Sequence, residues 1–265
     1  MKTYQLQYTM NLHVDSEINH HYFSFRCLPK ADPRQTIRQV KVLLDVDYYS
    51  YSTDCFGNHF VYGYQEAPAQ DLNFFMEACV AVDSRQFDWD NRLHSVYCLP
   101  TAKTCAAGAL ADFAADCERA CESLPNAYEK AVYVMKAVHQ AMTYEKGRTV
   151  ITTTASDAFA QKCGVCQDYA QIMLAVLRYM HVPARYVAGV MAGEPLSHAW
   201  VDVLSSSCWR GLDPTNNRLV DDDYISLSCG RDYKDCLVNK GIFYSPEPVT
   251  QKQDITVSMT ECMTR

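Results

Sequence analysis

The sequence predicts an α+β protein, with an N-terminal β-sandwich followed by helices that pack on an antiparallel sheet. Three observations predict it. Residues 1 to about 85 fall into short runs that alternate polar and apolar positions and are rich in aromatic and β-branched side chains. Beyond Pro100 the apolar spacing changes to a helical period. After Pro183 three strand-like runs follow one another closely. The expected division is residues 1–100 for the β-sandwich and 101–265 for the core that carries the chemistry, in keeping with domain-size priors for a chain of 265 residues.

In the first region "TYQLQYTMNLHV", "HHYFSFRCLP", "TIRQVKVLLDV", "YYSYSTDCFGNHFVYGYQ" and "LNFFMEACVAVD" have strand length, and "LPKADPRQ" and "FGNH" supply turns. Runs at that spacing suggest a sandwich of roughly a hundred residues. His20 and His21 are adjacent on such a run and point to opposite faces, which argues against a shared metal. Residues 86–104 read as a linker. "AAGALADFAADCERACESL" and "AYEKAVYVMKAVHQAMTY" then carry helical spacing, with Pro125 breaking one helix from the next. Ser156 is placed to cap a short helix or turn. From Cys166, "QDYAQIMLAVLRYMHV" has a wide apolar face of Ala170, Met173, Leu174, Leu177 and Met180 and ends before Pro183. "RYVAGVM", "HAWVDVL" and "CWRGLDPT" read as three successive strands.

Composition excludes several functions. A net charge of −7 and the absence of any Lys/Arg block argue against a nucleic-acid partner. No stretch approaches the ~18 apolar residues of a membrane span, and the first residues alternate like a strand rather than forming a signal peptide. The expected location is therefore cytoplasmic. There the thirteen cysteines are expected to be reduced, and most sit in apolar settings as small buried hydrophobes.

"QKCGVCQDYA" holds Cys163 and Cys166 at C-x-x-C spacing, which has three readings. A thioredoxin-type dithiol wants a buried strand before it, and "SDAFAQK" is not one. A zinc site wants a second close pair, but Cys229 and Cys236 are widely spaced and His198 stands alone, so no metal is expected. The third reading makes Cys166 a nucleophile at the first turn of a helix, where the backbone dipole favours thiolate, with Gly164 letting the chain turn and Cys163 as a bystander. Taken alone, a buried apolar cysteine is the blander account. Company changes that. His198 opens one strand in "LSHAWVDV" and Asp213 closes the next in "WRGLDPTNN". Hairpin neighbours would set them side by side, where an imidazole takes the thiol proton and a carboxylate fixes its tautomer. Asp168 is more naturally a brace for the first helical turn than a reacting group.

"GVCQDYAQIMLAVLRYMHVPARYVAG", "SHAWVDV" and "WRGLDPTNN" closely resemble the core of the bacterial transglutaminase-like superfamily, and "CGRDYKDC" resembles a further signature of that group. The N-terminal strands resemble the β domain that commonly precedes the core. The resemblance implies a papain-like transglutaminase core, in which a helix bearing the cysteine packs on an antiparallel sheet bearing histidine and aspartate. Carried over by motif, Cys166 is the nucleophile, His198 the general base and acid, and Asp213 its orienter. Gln161 is a weak candidate for the second oxyanion donor and Trp200 for a side chain shielding the cleft. The sequence departs from the family at Cys163, where a basic residue or Gly is frequent, and near Asn239, where a Pro is frequent. "VMAGEPL" is short for the loop expected to wall the cleft.

The implied activity is acyl transfer at an amide or peptide carbonyl through a cysteine thioester, with hydrolysis as the default outcome. An amine-accepting transglutaminase is the alternative, and a superfamily member that has lost catalysis and serves as a binding module is the other. All three triad residues are present, which favours the enzyme. No cofactor is expected: calcium dependence is known among animal transglutaminases, but "DDD" at 221–223 reads as a solvated turn. The expected partner is a peptide or protein amide substrate. A homodimer is compatible with the sequence, and nothing specifies one.

Overall fold

The computed structural model describes residues 1–90, 92 and 95–262. The parts of the expected linker at Asn91, Leu93 and His94, and the last three residues of the expected core, lie outside these.

Strand β1 (Lys2–Phe25) opens the chain and joins two of the predicted runs into one. Its register against a neighbour shifts between His13 and Ile18, and His20 takes a left-handed backbone (φ 50°). There follow β2 (Gln35–Leu44), the hairpin of β3 (Tyr48–Thr53) and β4 (His59–Gln65), then β5 (Ala69–Val82) and the short β6 (Asp88–Trp89). The next stretch holds α1 (Ala109–Ala120), α2 (Ala127–Ala141), β7 (Thr143–Tyr144), α3 (Ala155–Gln161), β8 (Cys163–Gly164) and α4 (Cys166–Tyr179). The last part runs through β9 (Ala184–Met191), β10 (Ser197–Ser205), β11 (Cys208–Asp213), β12 (Arg218–Leu219), β13 (Tyr224–Gly230), β14 (Asn239–Tyr244) and β15 (Gln251–Glu261).

The N-terminal β domain is a seven-stranded sheet ordered β2-β5-β1-β4-β3, with β14 and β15 also paired to β1. It doubles back at the bend of β1. Phe74 lies across from Met10, yet its ring meets that of Phe25 at 5.1 Å, where a straight strand would put Met10 and Phe25 roughly 50 Å apart. The expected domain division is thus corrected at its far end. Residues 239–244 and 251–261, assigned by sequence to the core, complete the N-terminal sheet instead. At the near end β6 pairs with β11 of the core. Val190, Ile225 and Leu227 of the core's sheet share one apolar cluster with Tyr4, Leu6, Tyr8 and Phe74, so the two parts are packed through a common core.

The core sheet runs β12-β11-β10-β9-β13, and α4 lies across it among α1, α2 and α3. The sequence marked one wide apolar face on α4. Every residue from Asp168 to Arg178 is buried, because neighbouring helices cover the sides that the sheet does not. Buried Arg178 donates through its two terminal nitrogens to the Thr104 hydroxyl and the carbonyls of Ala184 and Arg231. The cap of α3 is Thr154 and not Ser156. Thr154 and Asp157 form a reciprocal capping box, while the Ser156 hydroxyl bridges the Cys105 carbonyl and the Ala107 N–H. Asp221–Asp223 is no solvated turn either. Asp222 meets the Met1 amino group at 2.7 Å, and Asp223 accepts from Lys2 (2.7 Å) and Tyr4 (2.8 Å), which ties β1 to the core.

Candidate active site

Cys166 is the first residue of α4. Its position is set by Asp168, whose Oδ2 accepts from the Val165 N–H (2.8 Å) and the Thr149 hydroxyl (2.7 Å). Burial pushes the Asp168 carboxyl up, and these two hydrogen bonds pull it back. Asp168 is a brace for the helix start, as its place in the first turn suggests. Gly164 serves this brace by close approach and not by a positive φ. A Cβ there would stand 2.5 Å from Asp168 Oδ2. Cys163 is buried on β8 without a bridge to Cys166.

β10 and β11 are hairpin neighbours, with Val201 opposite Leu212. They turn through Ser206 and Ser207, both at positive φ, the two-residue turn whose twist suits a hairpin. The pairing brings His198 Nε2 to 2.8 Å from Asp213 Oδ2. Asp213 is fully buried and surrounded by donors. Oδ1 accepts from the backbone N–H groups of Thr215 (2.9 Å) and Asn216 (3.2 Å). Oδ2 accepts from Asn216 Nδ2 (2.8 Å) and the Tyr224 hydroxyl (2.8 Å) as well as from the imidazole. Burial opposes the charge on Asp213, but His198, Asn216 and Tyr224 hold its carboxyl below the usual range. An ionised Asp213 can only accept, so Nε2 carries a proton and Nδ1 is the nitrogen left for the thiol.

Cys166 lines the same cleft as His198, and its charge is felt at the imidazole. Burial works against a charged imidazole, yet Asp213 and Cys166 together outweigh it and push the pKa up from 6.5 to about 10. The His198–Asp213 pair thus shares one cleft with Cys166, an arrangement suited to moving a proton between sulfur and imidazole while the acid fixes the ring.

Cys166 and His198 open into a cleft of about 620 Å³. Its walls come from both parts of the protein. Tyr144, Gln167, Tyr186, Glu194 and Leu196 belong to the core, while Tyr8, Gln253 and Ile255 belong to the N-terminal sheet. The short loop before His198 lines the cleft through Glu194, Pro195 and Leu196.

Two sequence candidates lie elsewhere. Gln161 is exposed at the end of α3 and does not line the cleft. Trp200 is buried behind His198, its ring 6.4 Å from the imidazole and 5.3 Å from Tyr224, with Nε1 donating to Asp202. It is core packing, not a cleft shield. Gly189, opposite His198 on β9, leaves room for it, since a Cβ there would meet the indole at 2.3 Å. A smaller cavity of about 180 Å³ lies on the other side of Trp200 and Tyr224, away from Cys166. Sequence reasoning missed Tyr224 and Asn216. The "DPTNN" turn signals a loop that could fold onto Asp213, but nothing local marks the Tyr224 hydroxyl. Tyr144 was also missed. Burial raises its phenol pKa, and charge at Cys166 and Glu194 adds to that. Among the described residues no cluster of three metal-binding side chains occurs.

Residues 115–214 match the sequence profile of the transglutaminase-like superfamily core. An uncharacterized protein of Mycobacterium tuberculosis is 36% identical over 124 residues, covering 41% of this chain and 40% of that protein. Another from Mycobacterium leprae is 38% identical over 129 residues, covering 45% of each. The chain spans less than half the length of these curated relatives. Among solved structures, a candidate cysteine protease from Cytophaga hutchinsonii superposes with a TM-score of 0.77 at 19% identity, covering all of this chain and 92% of that one. This last likeness extends the shared fold to the N-terminal β domain.

Proposed function

We propose that the transglutaminase-like core of this chain is a thiol-dependent acyl-transfer enzyme, with Cys166 as nucleophile, His198 as general acid and base, and Asp213 as orienter. The observation that supports the reading is the hydrogen bond of His198 to the buried Asp213 in the cleft that Cys166 also lines. A charged imidazole beside a sulfur is the setting in which cysteine reacts as thiolate.

In the first step the sulfur attacks an amide carbonyl carbon, a C–S bond forms and the carbonyl electron pair moves to oxygen. The Cys166 backbone N–H at the start of α4 stabilises that oxyanion. Tyr144, which lines the cleft and feels the charge at Cys166, replaces Gln161 as the side chain proposed for the second donor. The tetrahedral species collapses, the C–N bond breaks, and the imidazolium proton goes to the departing amine. Water then attacks the thioester, the imidazole takes its proton, and a carboxylic acid leaves as the thiol is restored. Hydrolysis is the proposed outcome because the cleft is open and transfer to an amine requires water to be kept out.

Among the described residues no helix is long and apolar enough to cross a membrane. Thirteen unbridged cysteines suit a reducing compartment, and on that ground we place the protein in the cytoplasm.

The test is alkylation by iodoacetamide at pH 7, followed by peptide mass spectrometry. Cys166 is expected to react well ahead of the exposed Cys55 and Cys105, and His198→Ala is expected to remove that lead. Equal labelling would leave a binding module. Adding a primary amine to a peptide-digestion assay separates hydrolysis from transamidation by product mass.

A further inference from the structure

The cleft has a wall that a small amide could not use. β15 hydrogen-bonds to β1 along one edge, and among the described residues no strand pairs with its other edge. The direction of each backbone group on β15 follows from two contacts. The Cys262 N–H donates to the Thr3 carbonyl at 2.7 Å, so the odd-numbered residues of β1 face β15. Their partners on β15 are the even-numbered ones, such as Asp254 opposite Asn11 and Thr256 opposite Thr9. The Val257 N–H points the other way and donates to the Pro195 carbonyl at 3.1 Å. By the alternation of an antiparallel ladder, the N–H and C=O groups of Gln253 and Ile255 also point away from β1. Both residues line the cleft that holds Cys166 and His198. Pro195, where this edge touches the core, lies in the loop that leads into His198.

An open strand edge is a template for another strand, and its donors and acceptors repeat every two residues, about 7 Å, as those of an extended peptide do. Main-chain pairing of this kind accepts many sequences and requires only an extended chain. We infer that the substrate is an extended polypeptide, and that it docks by adding a strand to the outer edge of β15 at Gln253 and Ile255, so presenting a carbonyl to Cys166. The inference rests on the proposed acyl transfer and narrows it. It gives the N-terminal sheet a role, since the edge that holds the substrate belongs to that sheet and the nucleophile to the core.

Peptide chloromethyl ketones of mixed sequence test it on the full chain, because the sulfur displaces chloride and the rate needs no known substrate. Labelling of Cys166 is expected to speed up about ten-fold as the peptide grows from one residue to five. Ile255→Pro removes an N–H that faces the cleft and no ladder bond to β1. It is expected to abolish the length dependence, and iodoacetamide labelling of the same variant serves as the check that Cys166 still reacts. Ile255→Ala keeps the N–H and is expected to keep the length dependence. A wild-type rate that ignores length, or a length dependence that survives Ile255→Pro, overturns the inference. Should that variant not fold, N-methylation at successive positions of the probe decides on the unaltered protein. Strand pairing predicts that every second methyl abolishes the gain, and an effect equal at all positions overturns it. The acyl-transfer reading fails on a separate result, namely iodoacetamide labelling that shows no preference for Cys166.

Discussion

Asp202 and Asp213 are both fully buried, lie on neighbouring strands of one sheet, and are each paired with cations or donors, yet they serve different ends. Asp202 meets Arg185 at 2.8 Å and Arg34 at 3.1 Å, and Trp200 donates to its other oxygen. Burial opposes its charge, but the two guanidinium groups hold its pKa down to about 2. Asp213 meets His198, Asn216 and Tyr224 at the mouth of the cleft. What separates the two is the chemistry of the partner. A guanidinium keeps its proton at any pH a folded protein meets, so Asp202 is a fixed charge that joins the turn before β2 to β9 and β10. An imidazole gives its proton up, so the same kind of buried acid becomes part of a proton path.

Breaking each pair should separate the roles. Asp213→Asn is expected to cut peptide or thioester turnover on the order of 10⁴-fold, since the imidazole loses its ionised orienter. Its fold should persist, as read by circular dichroism. Asp202→Asn should leave the labelling preference for Cys166 in place but cost about 3–5 kcal/mol in urea unfolding, because two buried guanidinium groups lose their acid.

The two sites also fail at opposite ends of the pH scale. His198 is raised from 6.5 to about 10, so its contribution to stability is whole below pH 6.5 and is lost as pH rises through 10. Asp202 is lowered from 3.8 to about 2, so its contribution is whole above pH 3.8 and is lost as pH falls through 2. Thermal unfolding across pH should therefore show His198→Ala flattening the alkaline limb and Asp202→Asn the acid limb. The reverse assignment would refute the comparison. Tyr224→Phe, which removes one donor to Asp213, is expected to lower turnover about ten-fold and stability by about 1 kcal/mol. The smallest effect belongs to an exposed pair: Asp116→Asn, opposite Arg119 on α1, should change stability by less than about 0.5 kcal/mol.

The elements of this comparison were unequally legible in the sequence. The candidates Cys166, His198 and Asp213 could be picked out because each sits at the edge of an element with strong periodicity, and a tight hairpin turns His198 and Asp213 into spatial neighbours. Arg34, which reaches Asp202 from the turn before β2, lies too far along the chain for any local pattern to pair them. Tyr224 was hidden for a related reason: its strand borders β9, and only the twist of the sheet brings its hydroxyl round to Asp213. The capping of α3 was misplaced by two residues because both Thr154 and Ser156 can cap, and only the reciprocal bond to Asp157 distinguishes them. By sequence the segments of β14 and β15 fall to the core with the rest of residues 101–265, because no local pattern shows which sheet a distant segment will join.

Strand β1 binds β15 over nearly its whole first half, and Met10 on it is met by the side chain of Gln253. β1 therefore waits for β15. During synthesis β15 must leave the ribosome before β1 can be flanked on both sides, and so sequence-distant a pairing is slow to form. The helix of Cys166 can assemble with its sheet before then, whereas the wall that faces it forms later. On the proposed function, the segment that carries the nucleophile is thus folded ahead of the edge that would hold its substrate.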